Sequence, residues 1–116
     1  MIKSKYRFHG HASLKYVYRN AKSLRSGLVV MKYVANSHRK NPRLAVVVSK
    51  KVHKSAVGRN RIRRRIYEIL RTEIPKFDIY DMVFIVVSAE VRSVEHQSLA
   101  EIIYKLLDEA GVYKNR

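Results

Sequence analysis

Cysteine and tryptophan are absent, and 116 residues hold two prolines and four glycines. Without cysteine there is no disulfide, no thiolate metal site and no thiol nucleophile. At this length, with no internal repeat, low-complexity stretch or domain boundary in the pattern, residues 1–116 read as one domain. No apolar run approaches the roughly 18 residues of a membrane span. Basic Met1–Arg7 has no apolar signal core behind it. No membrane partner is expected, and the cytoplasm is the expected compartment. The largest absence is of acid: the first carboxylate in the chain is Glu68. Residues 1–67 carry 19 Lys+Arg and no Asp or Glu, while residues 68–116 carry 6 Lys+Arg and 9 acids, for a net +16. Such an uneven field calls for a polyanionic partner and should repel itself without one.

Against these absences stands one dense stretch, Ala56 to Glu68, with five arginines between Arg59 and Arg65. Ile62, Ile66, Ile69 and Leu70 recur within it at helical spacing, so one side is fit for burial. At about 100° per residue, Asn60, Arg64 and Arg71 fall on the opposite arc. Arg61 and Arg65 lie on one flank and Arg63 on the other. A guanidinium is a planar fork that meets phosphate oxygens two at a time. A docked helix bearing five of them suits a folded nucleic acid.

Residues 1–12 are basic and irregular and are expected to form a mobile arm. His9 and His11 could begin a metal site, but no third ligand stands near them in sequence. Ser13 is a candidate N-cap for a short helix whose apolar side is Leu14, Val17, Tyr18 and Ala21. Leu28–Val34 reads as a strand, with Lys32 on the face of Leu28, Val30 and Val34. That face is either solvated or lines a groove for something negative. Asn36–Pro42 is turn chemistry, expected to join this strand to an antiparallel neighbour at Leu44–Ser49. A basic loop, Lys50–Ser55, leads to the arginine helix, with Ser55 as N-cap and Pro75 as its stop. Asp81–Val87 is a third strand. Ser93 or Ser98 opens a last helix with the stripe Leu99, Ile102, Ile103, Leu106 and Ala110, closed by Gly111. The order α-β-β-α-β-α gives an α+β fold, a mostly antiparallel sheet with helices expected on one face.

The run Ala56-Val57-x-Arg59-Asn60-Arg61-Ile62-x-Arg64 resembles the "RNR" motif of the bacterial ribonuclease P protein subunit. Its setting strengthens the likeness: a valine-rich strand, then Lys50-Lys51, then the arginine helix, within a resemblance spanning about residues 14–107. The resemblance implies a ribosomal-protein-like βαβ unit. It also implies a protein that binds a catalytic RNA and assists removal of the 5′ leader from precursor tRNA. The RNA would do the chemistry with Mg2+, and the protein, a monomer, would bind no cofactor of its own. By the same resemblance Arg59, Asn60, Arg61, Arg64 and Arg65 face the catalytic RNA, and Arg63, between them on the helix, is counted with the set. Leu14, Tyr18, Lys32, Lys50 and Lys51 face the leader and tRNA, and Lys54 of the same basic loop is counted with them. Leu14 and Tyr18 stand where phenylalanines are usual, Lys32 where a tyrosine is common, and Ala21 where glycine is frequent. Ser88-Ala89-Glu90 replaces a basic position, with Arg92 nearby.

Phosphodiester hydrolysis needs carboxylate-held metals or a placed acid and base. The basic half has no carboxylate. Asp78, Asp81, Glu90 and Glu95 lack metal-site spacing, and no two of His9, His11, His38 and His53 are placed together by the sequence. No catalytic residue is therefore assigned to the protein. A small structural RNA-binding protein, ribosomal or an assembly factor, fits the composition equally well. A helix-turn-helix DNA binder has no support in the pattern.

Overall fold

The structure, a computed structural model, describes residues 2–114, with His11 described by its backbone alone. A 3-10 turn (Ser4–Tyr6) precedes helix α1 (His11–Asn20). Strands β1 (Lys22–Arg25), β2 (Val29–Ala35) and β3 (Arg43–Val47) follow, then helix α2 (Ala56–Arg71). A short turn at Ile74–Lys76 leads to β4 (Tyr80–Val86), another at Ala89–Arg92 to helix α3 (His96–Ala110). The sheet order is β1-β2-β4-β3. The β1–β2 and β2–β4 pairings are antiparallel and β3–β4 is parallel. With α2 as the crossover, β3-α2-β4 is the expected βαβ unit.

The expected direct pairing of the strands at 28–34 and 44–49 does not occur, because β4 lies between them. β4 buries five of its seven residues, more than any other strand, so the centre is where it hides most surface. β3 becomes an edge, and the chain seals it. Arg7 bridges to Leu44, and the Tyr67 hydroxyl of α2 accepts from the Val46 N–H at 3.1 Å. β1 has no counterpart among the expected strands. Of its four residues only Leu24 is sheltered, so it carries no alternation to read.

Alternation divides the sheet. Val29, Met31, Leu44, Val46, Met82, Phe84 and Val86 meet Ile62, Ile66 and Leu70 of α2 and Leu99, Ile103 and Leu107 of α3 in the main core. Val30 and Val83 point the other way and are buried apart from that core, as is Val17 of α1. α1 packs on β2 and β4. Helices therefore cover both faces, not one as expected. The physical reason is the buried Val30 and Val83, which need an apolar lid of their own.

The basic segment expected to be a free arm is docked. Ile2 is buried, and Arg7 adds a bridge beside β3. Phe8 lies against the Arg43 guanidinium, 4.7 Å from ring centroid to Cζ. Ser13 is not the cap of α1. The helix opens at His11 behind Gly10 at φ 87°, and Ser13 faces inward, where its hydroxyl accepts from Arg43 Nη1 at 3.1 Å. α3 opens at His96, not at Ser93 or Ser98, because the Ala89–Arg92 turn occupies the residues before it. Gly111 closes α3 at φ 68°, as expected. Near it Tyr113 donates to Glu73 at 2.8 Å, and burial, then this bond, raises its pKa above the usual phenol range.

Candidate nucleic-acid interface

α2 starts where the sequence put it. Ser55 Oγ accepts from the Gly58 N–H at 3.2 Å, satisfying one of the orphan donors of the first turn. Ile62, Ile66, Tyr67, Ile69 and Leu70 are buried. Arg61 and Arg64 are exposed, and Asn60, Arg59, Arg63 and Arg65 are half-buried. Arg61, Arg64 and Arg65 share a groove of about 580 Å³ with Glu68, Arg92 and His96. Arg92 and His96 come from the turn after β4 and the start of α3, so α2 spacing alone could not add them. Among the described residues the ion pairs are Arg43–Asp81, Arg71–Glu68 and Lys76–Glu73. None neutralises an arginine between 59 and 65.

The five arginines are not equivalent. Arg59 Nη1 donates to the carbonyls of His53 and Lys54 at 3.0 and 2.7 Å. Arg65 donates through Nη1 to Val91 O at 2.6 Å and through Nη2 to Val94 O at 2.5 Å. The first fastens the lysine loop to α2, and the second fastens the turn after β4. Arg61, Arg63 and Arg64 make no such bond among the described residues, and of these Arg63 is half-buried while Arg61 and Arg64 are exposed. The forks of Arg61 and Arg64 are the ones both unbonded and exposed.

The loop lysines Lys50, Lys51 and Lys54 are all exposed beside the start of α2. His53 anchors this loop. Its imidazole packs on Gly58, where an added Cβ would lie 2.1 Å from Cε1. Arg92 Nη1 donates to its Nε2 at 3.0 Å, and the Ser55 N–H approaches its Nδ1 at 3.2 Å. A neutral imidazole has one acceptor nitrogen, so it serves these donors one at a time. Gly58→Ala should gain about 0.5–1 kcal/mol of helix propensity only when the ring is gone. Thermal unfolding of Gly58→Ala, His53→Ala and the double variant is expected to show stabilisation by alanine at 58 in the His53→Ala background and none in the parent. Equal gains in both would show that the ring does not seat there.

On the α1 face, Leu14 and Tyr18 are one turn apart on the same flank, half-buried and 45% exposed. Lys32 is on this face, but its ammonium donates to Ser23 Oγ of β1 at 3.0 Å, not to Tyr18. Ala45, Val47, Ile85 and Val87 continue the face in partly open, apolar form. At its other end Arg43 pairs with Asp81 beneath α1. His9 is exposed and bonded to the Ser4 carbonyl at 3.0 Å, and the side chain of His11 lies outside the described residues. Among the described residues no three His, Cys, Asp or Glu side chains stand close enough together to hold a metal. Nor is any helix long and apolar enough to cross a membrane.

The family model Ribonuclease P matches residues 2–111. The chain belongs to the ribonuclease P protein family. The ribonuclease P protein component of Clostridium kluyveri is 37% identical over 112 residues, covering 94% of this chain and 97% of the relative. That of Clostridium botulinum is 37% identical over 102 residues, covering 85% and 88%. The ribonuclease P protein of Thermotoga maritima superposes with a TM-score of 0.78 at 25% identity, covering 89% of this chain and 96% of that one. The Staphylococcus aureus protein shares the fold, with a TM-score of 0.83 at 24% identity over 94% and 98%. As a ribonuclease P protein the chain is part of a ribonucleoprotein endoribonuclease of tRNA processing, with the ribonuclease P RNA and a tRNA substrate as partners. This displaces the ribosomal or assembly-factor reading.

Proposed function

We propose that α2 seats this protein on the ribonuclease P RNA through Arg61 and Arg64, with Asn60 and Arg63 beside them. Arg59 and Arg65 hold the flanking loops and offer the RNA their remaining N–H groups. The observation that carries this reading is an ordered helix whose arginines between 59 and 65 find no acid partner among the described residues. Structured RNA is held mainly through phosphates, and a rigid array of guanidinium forks loses little entropy on meeting them.

The α1 face is proposed to take the single-stranded 5′ leader, with Tyr18 as a stacking platform, Leu14 as an apolar wall and Lys32, Lys50, Lys51 and Lys54 for phosphates. Single strands are held by basic grooves with aromatic platforms. The protein acts as a monomer in the cytoplasm and assigns the chemistry, and the Mg2+ it uses, to the RNA. Purified alone it should leave precursor tRNA intact. Cleavage by RNA-free protein would overturn that assignment. Pulling the protein from cell extract and sequencing its RNA tests the partner: ribonuclease P RNA is expected, and ribosomal RNA in its place would refute the reading.

Tyr18→Ala is expected to leave assembly with the RNA intact. Losing one stacked base costs about 1–3 kcal/mol, so preference for precursor over mature tRNA should fall about 5- to 150-fold. Competition binding with both tRNAs measures it, and an equal loss for both would remove Tyr18 from the leader site.

A further inference from the structure

A second cationic surface lies at the opposite end of β3 from the start of α2. The N-terminal segment and the loop 36–42 wall a groove of about 360 Å³. Lys5, Arg7, Arg39 and Lys40 line it, flanked by His9 and His38. No acid lines it. Of its lining cations, Arg43 has its charge met by Asp81. The other four appear in no ion pair among the described residues. The segment is held in place by structure: the Ser4–Tyr6 turn, the His9–Ser4 bond, the Arg7–Leu44 bridge and buried Ile2. Fixing four like charges side by side works against folding unless an anion occupies the space between them. A bare metal cation would be repelled.

β3 spans five residues, or about 16 Å, so this groove is separate from Arg59 and the arginines that follow it on α2. It is continuous instead with the α1 face. Arg43 on its floor donates to Ser13 of α1, and Tyr18 is five residues along that helix, about 7.5 Å. An RNA strand running along α1 past its N-terminal end enters the groove. We propose that the groove binds phosphates of the distal part of the single-stranded 5′ leader. This rests on the leader reading of the α1 face.

The test uses the reconstituted holoenzyme and precursor tRNAs with leaders of about 4 and about 16 nucleotides. Lys5→Ala/Arg7→Ala and Arg39→Ala/Lys40→Ala alter exposed side chains. Each pair should weaken the long-leader substrate and flatten its salt slope by about 1.4, from about 0.7 per phosphate neutralised on a single strand. Short-leader substrate and mature tRNA should bind as before. Unchanged long-leader binding would overturn the proposal. Equal losses at both lengths would too, since they would give the groove to the catalytic RNA or the tRNA body. Displacement by polyglutamate as effective as by single-stranded RNA would make it a dock for acidic protein, and would also overturn it. If the parent gains nothing from the first 4 or so nucleotides but gains from the longer leader, and the variants lose that gain, the α1 reading fails while the groove stands.

Discussion

Arg61→Ala/Arg64→Ala should bind ribonuclease P RNA about 100-fold more weakly than the parent, at unchanged stability. Both side chains are exposed, and neither belongs to the buried spine of the helix. A hydrogen bond to a charged group is worth about 1.5–3 kcal/mol, and about 1.4 kcal/mol is tenfold in affinity, so each arginine accounts for at least tenfold. The plot of log affinity against log salt should flatten by about two units, one for each phosphate that the missing guanidinium no longer neutralises. Arg59→Ala and Arg65→Ala should behave differently. Each abandons two backbone carbonyls, so each should lower stability by about 1–3 kcal/mol, with a smaller change in slope. If all four positions gave the same slope change and no stability change, the division between presenting and fastening arginines would be wrong.

Asp81→Ala should cost about 3–5 kcal/mol of stability, a large part of the 5–15 kcal/mol of a typical domain. Asp81 is fully buried and Arg43 is 7% exposed. The Asp81 carboxylate accepts from Arg43 Nε and Nη2 at 2.9 and 2.7 Å and from Asn36 Nδ2 at 2.8 Å. Removing it leaves a buried guanidinium without a counter-charge, which is the expensive half of breaking such a pair. Removing both charges with apolar residues of similar volume, as in Arg43→Met/Asp81→Leu, should recover most of the loss. Urea unfolding of the three proteins measures this. A double variant no more stable than Asp81→Ala would mean that the cost lies in packing and not in the orphaned charge.

The arginine helix was legible because its signals are local. Ser55 caps it, and Ile62, Ile66 and Leu70 repeat within one element. Arg43–Asp81 was not, although both residues are plain in the sequence. They are 38 positions apart and meet only because β4 enters the sheet between β2 and β3. The same insertion hid the sheet order. The lid function of α1 was missed for a related reason: Val17 is one buried valine among exposed neighbours, and its partners Val30 and Val83 are on strands whose facing depends on that order. Arg65 reads as one more phosphate ligand, because its acceptors are backbone carbonyls, which every residue has. Residues 1–12 read as a loose arm because, over residues 2–10, only Ile2 is buried and the rest of the anchoring is by main chain and by Phe8. Tyr18, Lys32 and the loop lysines were placed by resemblance, and the fold puts Tyr18 and Lys32 on one face without joining them.

Val57 sits on the first turn of α2 with 67% exposure and takes no part in the core. A photocrosslinking amino acid there, activated in living cells and followed by sequencing of the attached RNA, reports what lies against the arginine helix. Ribonuclease P RNA at defined nucleotides is the predicted product; precursor tRNA leaders or ribosomal RNA in its place would contradict the account.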